Sequence, residues 1–150
     1  MPFVLDVAED QQRKALGVAE RARLSSIRVL EVHAKVLDAD AAEELQPPEE
    51  LTTKLSVGRS DGHLLYRFEH DLTIMGSGDK DALHISLQVG ALFDFPEEGT
   101  PDGDASEEEL AAFGRTTVQM AVYPYVRATV SDLAARTGCG PVTLDLLVTR

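Results

Sequence analysis

The sequence predicts an α+β domain in which helices cover one face of a four-stranded antiparallel sheet. Four segments between residues 26 and 95 alternate apolar and polar side chains with a period of two, as half-buried strands do. Turn residues separate the later segments, which favours antiparallel neighbours. A broad apolar stripe with helical spacing follows over residues 113–137, so a long C-terminal helix can cover the apolar face of the sheet.

An extra helix is predicted at the N-terminus, over residues 6–24. Asp6 and Glu9 have the spacing of a capping box, and Leu16 and several alanines recur every three or four residues among charged side chains. The apolar side of this helix is thin, which favours light packing or contact with a partner subunit.

The four strands are predicted over residues 26–38, 51–58, 63–75 and 82–95. In the first strand, Leu30 and Val32 are expected on the same apolar face, because they lie two positions apart. The turn sequence at 60–62 joins the second and third strands into a hairpin. An acidic loop containing proline is predicted over residues 39–50, and the stretch 96–109, rich in proline, glycine and acidic residues, is predicted to become helical at Ser106.

Helices are predicted over residues 106–137, and an apolar tail follows over residues 138–150. Pro124 lies inside the helical pattern and is expected to kink the helix or to begin a new one, because proline has no backbone N–H. Gly138 is expected to end the helix. With 150 residues, the whole chain fits one domain.

The composition is strongly acidic, with 14 basic and 26 acidic residues and a formal net charge of −12. This argues against binding to nucleic acid or to anionic membrane surfaces, which attract basic patches. No secretory signal and no apolar run of membrane-spanning length is seen, so a cytoplasmic location is expected.

Residues for catalysis, metal binding or a cofactor do not form a recognisable constellation. His33, His63, His70 and His84 include no pair at helical i, i+4 spacing, and His70 is expected in a core or groove. Cys139 has no predicted base beside it and is expected to act as a small apolar side chain. These observations predict a binding protein rather than an enzyme, with no metal and no cofactor.

The most specific pattern lies at residues 123–133. The segment Tyr123-Pro124-Tyr125-Val126-Arg127 opens a helix, Ser131-Asp132-Leu133 follows one to two turns later, and Gly138, Pro141 and an alternating apolar tail come next. This pattern resembles the signature of the SecB family of protein-export chaperones. The resemblance extends over roughly residues 25–148, and four strands followed by a long helix is the order of that family as well.

The tail stops at Arg150, where the second C-terminal helix of SecB proteins would begin, and the N-terminal helix is an addition to the simplest members. Both features look more like the shorter-tailed SecB-like proteins of actinobacteria, some of which serve the antitoxin of a toxin–antitoxin pair.

The resemblance implies an ATP-independent chaperone that holds extended apolar segments of unfolded polypeptides in surface grooves. Its clients would be preproteins, with SecA as a further partner, or a single antitoxin, and its oligomer would be a dimer of dimers. Subunits would meet through the long helix and the edge strand 26–38. The groove is expected to be lined by aromatic and leucine side chains, namely Tyr66, Phe68, Phe93, Phe95, Leu144 and Leu146. A carrier of a small lipophilic ligand is the alternative, and it would require a closed cavity.

Overall fold

The structure, a computed structural model, describes residues 2–96 and 105–150, and it confirms the α+β class. The elements in chain order are β1 (Phe3–Leu5), α1 (Glu9–Ala19), β2 (Arg23–Val36), β3 (Thr52–Ser60), β4 (His63–Met75), β5 (Asp81–Asp94), α2 (Glu107–Phe113), a π-helical turn (Gly114–Val118), α3 (Gln119–Arg136) and β6 (Leu147–Thr149). Most of the predicted loop after β5, residues 97–104, lies outside the described residues.

The main sheet has the strand order β2-β5-β4-β3, and all its neighbours are antiparallel. The predicted hairpin between β3 and β4 is confirmed, and Gly62 occupies its turn with φ of 73°. The strongest alternation lies in β4, where every second side chain from Leu64 to Ile74 is buried. The helices cover this apolar face, which we call the inner face of the sheet.

Strand β2 departs from simple alternation because its register with β5 shifts twice, at Leu24/Ser26 and at Val29/Glu31. The second shift is a bulge at Leu30. The Leu30 side chain lies over Gly90, where an added Cβ would come within 2.9 Å of its Cδ1 atom. Val32, by contrast, stands opposite the inner-face residue Leu87. The prediction that Leu30 and Val32 share one face is therefore wrong, because a bulge reverses the alternation at one point.

Helix α1 begins three residues later than predicted, with Ala8 as its N-cap residue. The backbone N–H of Ala8 donates a hydrogen bond to Oε1 of Gln11 at 3.3 Å. The predicted capping box of Asp6 and Glu9 is therefore wrong. Asp6 instead accepts a hydrogen bond from Nε of Arg150 at 3.0 Å, which joins the two ends of the chain.

The helix layer contains an irregular turn, but not at the predicted position. No new helix begins at Pro124, which lies inside α3. The irregularity is the π-helical turn that starts at Gly114, where an added Cβ would lie 2.7 Å from the ring of Tyr66. The Tyr66 hydroxyl also donates to the carbonyl of Leu110 at 2.8 Å. The turn thus packs closely against the sheet at Tyr66, with no room for a side chain at Gly114.

A second, smaller sheet was not predicted. The three residues of β1 pair in parallel with the three residues of β6, so that Phe3 stands opposite Leu147 and Leu5 opposite Thr149. We call this pair of strands the terminal ribbon. Within the described ranges, no helix is long and apolar enough to cross a membrane.

His70 of β4 is buried in the core beside Thr53. His70 is 4% exposed, its Nδ1 lies 3.0 Å from Oγ1 of Thr53, and its Nε2 has no hydrogen-bond partner. Burial lowers the pKa of His70 to about 4, so the folded protein keeps this ring neutral at pH values where the unfolded chain protonates it.

We expect the free energy of unfolding to decrease as the pH falls from about 6.5 to about 4, with a contribution of about 3 kcal/mol from His70, because the unfolded state binds the extra proton. The variant His70→Phe should lose this part of the slope in urea titrations across that pH range. The exposed His33, changed to Phe, serves as the control and should keep the slope. An unchanged slope in His70→Phe would contradict the assignment.

Candidate binding groove along the edge of the sheet

The helix layer covers the two central strands and leaves the two edge strands half open. A four-stranded sheet is wider than one helix, since strands are about 4.8 Å apart and a helix is about 10 Å across. On the inner face of β2, Leu24, Val29 and Val32 are 47%, 42% and 47% exposed. On the inner face of β3, Leu55 is half-buried and Val57 is 37% exposed.

The margin at β3 is a groove, because the terminal ribbon forms its opposite wall. Two adjoining depressions of about 440 and 410 Å³ lie between β3 and the ribbon, and they share Leu5, Leu51, Thr53 and Gln119. We call the two together the β3 groove, and both are open to solvent. Its apolar lining consists of Pro2, Phe3, Val4, Leu5, Leu51, Leu55 and Leu147, together with the ring of Tyr123.

The ribbon wall is held in place by two side chains of α3. The Tyr123 hydroxyl donates to the carbonyl of Asp145, and Nε of Arg127 donates to the carbonyl of Leu144 at 2.8 Å. The Phe3 ring meets the Tyr123 ring edge-on, with 6.3 Å between the ring centroids. Burial raises the pKa of Tyr123 to about 12, so its hydroxyl keeps the proton that it donates at neutral pH.

These contacts explain part of the segment that carries the family resemblance. Tyr123 and Arg127 hold the tail, while Leu133 packs against the core and Asp132 forms an ion pair with Arg136 at 2.8 Å. The remaining two signature residues, Pro124 and Tyr125, are exposed on the other side of α3.

Strand β3 also presents a free backbone edge beside the groove. Its only neighbour in the described part of the chain is β4, so the N–H and C=O groups on its other side have no strand partner there. Such an edge can pair with an extended polypeptide segment through main-chain hydrogen bonds. The groove therefore combines an apolar lining with backbone donors and acceptors of β3, which can pair with a segment of any sequence.

The six side chains predicted for the groove lie elsewhere. Tyr66, Phe68, Phe93, Phe95 and Leu144 are between 0% and 5% exposed and belong to the core, whereas Leu146 is 56% exposed. None of the six lines the β3 groove. The rings of Tyr66, Phe93 and Phe113 meet edge-on, with centroids 5.2 to 5.8 Å apart, and this cluster fills the space between sheet and helix layer.

The residues that do line the groove include Leu5, Leu51, Leu55 and Gln119, which the sequence did not single out. The signal that could have identified them is the position of β3 at an edge of the sheet. That position depends on the strand order, which the alternation of side chains does not give. In the described ranges, no group of three His, Cys, Asp or Glu side chains is arranged to hold a metal ion.

If Arg127 holds the ribbon wall, Arg127→Met should loosen it while keeping the aliphatic stem. We expect hydrogen exchange at residues 3–5 and 147–149 to accelerate, and the free energy of unfolding to fall by about 1–2 kcal/mol, because a buried carbonyl loses its charged donor. Arg136→Met is the matched control, since it removes only an exposed ion pair. Equal exchange rates in the two variants would show that Arg127 does not hold the ribbon.

The relatives found by sequence and the similar solved structure belong to the same family. No family model matches the chain. Two curated relatives, the SecB-like chaperones MT2006 and Rv1957 from two strains of Mycobacterium tuberculosis, are each 31% identical over 157 aligned positions, which cover 92% of this chain and 84% of theirs.

A solved structure agrees with these relatives. The SecB-like chaperone Rv1957 of Mycobacterium tuberculosis, in complex with a ChAD peptide from the HigA1 antitoxin, superposes with a TM-score of 0.79 at 32% identity. The match covers 92% of this chain and 99% of that one. Sequence and fold together place the chain in the family of SecB-like chaperones.

Proposed function

We propose that this SecB-like chaperone holds extended apolar segments of unfolded polypeptides in the β3 groove, without ATP. The observation that carries the proposal is an open groove with an apolar lining beside a free strand edge. Burial of apolar surface is non-directional, and main-chain pairing does not depend on side chains, so a groove of this kind accepts many sequences.

The physical mechanism is competition for the unfolded client. A segment held in the groove is withdrawn from folding and aggregation by mass action, which requires no nucleotide. Several grooves in one oligomer would bind several segments of the same client, and linked sites can exceed the affinity of a single site by about 10²–10⁴-fold. The net charge of −12 keeps a protein with exposed apolar surface soluble.

The client that we favour is the antitoxin of a toxin–antitoxin pair. The supporting observation is that the structure of the relative Rv1957 contains a peptide from the HigA1 antitoxin. Unfolded preproteins, with SecA as a partner, are the second candidate, from the resemblance to export chaperones. A lipophilic carrier is less well supported, because the β3 groove is open to solvent rather than closed.

We further propose that the opposite margin of the sheet and the outer side of α3 are subunit interfaces. Among the described residues, strand β2 is a free edge of 14 residues with exposed apolar side chains on its inner face. On α3, four uncharged residues recur at helical spacing and are exposed: Met120, Pro124, Tyr125 and Ala128. Two separate interfaces of this kind are what a dimer of dimers requires.

The holding activity can be tested by placing polar side chains in the groove. We expect Leu51→Asn combined with Leu55→Asn to abolish suppression of aggregation of a chemically unfolded protein at near-stoichiometric ratio, because the lining loses apolar surface. Leu16→Asn is the matched control, since Leu16 is 59% exposed on α1 and outside the groove.

Full suppression by a folded Leu51→Asn/Leu55→Asn variant would contradict the assignment of the groove. Peptide binding distinguishes the two client classes. A chaperone with a restricted client should bind a peptide of its antitoxin at least tenfold more tightly than unrelated unfolded segments, whereas a general holdase should bind both alike.

The subunit interface can be tested at β2. We expect Val29→Lys combined with Val32→Lys to lower the molar mass measured by light scattering at micromolar concentration, because two like charges on one edge oppose strand pairing. Val148→Lys places a charge on another exposed valine and should leave the mass unchanged. A monomeric parent protein would contradict the oligomer at once.

A further inference from the structure

The β3 groove has charges of opposite sign at its two ends. Glu49 and Glu50 line the section beside Leu51, and Arg115 lines the section beside Leu55. Asp6 also lines the second section, but its carboxylate is paired with Arg150. Arg115 is the basic residue of the described lining, in a chain whose net charge is −12.

These three charges have no partner within the described residues, since neither the glutamates nor Arg115 takes part in an ion pair there. Two charges close to them are paired: Lys14 lies 3.1 Å from Glu108, and Asp6 lies 3.0 Å from Arg150. Within the described residues, Glu49, Glu50 and Arg115 are therefore open to a charged ligand.

The distance between the ends matches a short extended segment. The floor runs from Leu51 to Leu55, and four steps of an extended chain span roughly 13 Å. A client lying along β3 would therefore place about four residues on the apolar floor, with its flanking side chains at the charged ends.

We propose that the two ends set the direction in which a client lies in the groove. The preferred client is an extended apolar segment of about four residues with a basic side chain at one end and a carboxylate at the other. The basic group lies at Glu49 and Glu50, and the carboxylate lies at Arg115. This inference rests on the proposed function of the groove and adds a direction and a charge pattern to it.

Charge pairs at a surface are weak, so the effect is a preference rather than an absolute selection. Without the charges, an apolar segment could lie in either direction, because a strand edge accepts parallel and antiparallel partners. The preference should decrease with added salt, since exposed charges are screened.

The test uses blocked peptides with four apolar residues flanked by Lys and Glu, by two Lys, by two Glu or by two Gln. We expect the Lys/Glu peptide to bind about three- to tenfold more tightly than the Glu/Glu peptide at low salt, and the difference to shrink at 0.5 M salt. With a photo-crosslinker beside its lysine, the Lys/Glu peptide should label residues 46–52 rather than 113–119.

Charge reversal provides the decisive variant. Arg115→Glu with Glu49→Lys and Glu50→Lys should bind the Lys/Glu peptide with similar affinity but move the crosslinks to residues 113–119. The matched control, Arg13→Glu with Glu43→Lys and Glu44→Lys, changes the net charge equally at exposed positions outside the groove and should keep the original direction.

The outcomes separate the two proposals. If the Gln/Gln peptide binds but the Lys/Glu peptide labels both ends equally, or if charge reversal leaves the labelling unchanged, the directional inference is overturned and the groove assignment stands. If no peptide binds, the groove assignment is overturned and the directional inference falls with it.

Discussion

The helix layer of this chain is narrower than the sheet that it covers. A four-stranded sheet offers one apolar face, but α3 lies over β5, so the inner faces of β2 and β3 are only partly covered. Apolar surface left open in this way favours association with another polypeptide. The two margins differ in shape: β2 is a long edge with a bulge and no opposite wall in the described structure, whereas β3 faces the terminal ribbon across a groove.

The groove depends on a wall that has little stability of its own. Two strands of three residues each are too short to persist alone in water. They are fixed by Tyr123 and Arg127, whose donors satisfy the carbonyls of the tail. The helix that covers the core therefore also positions one wall of the β3 groove. Two residues of the segment that carries the family resemblance, Tyr123 and Arg127, thus have a structural role at this groove.

Much of the fold could be predicted from the sequence, because period-two alternation defines strands whose one face is buried. The prediction failed where alternation is interrupted, as at the bulge around Leu30. It also missed the pairing of β1 with β6, because strands of three residues are too short to show an alternating pattern and the two strands are distant in sequence. The groove residues were missed for a different reason: alternation shows that Tyr66 and Leu55 are apolar and inward, but only the strand order shows that Tyr66 is central and Leu55 is at an edge.

The pairing of β1 with β6 has a consequence for the synthesis of the protein on the ribosome. The first strand of the ribbon, residues 3–5, is made at the start of translation, but it cannot pair before residues 147–149 emerge. The wall of the β3 groove is thus completed last, after all strands of the main sheet have been synthesised. Because both strands of the ribbon lie at the groove, an affinity tag fused to either terminus would begin beside it.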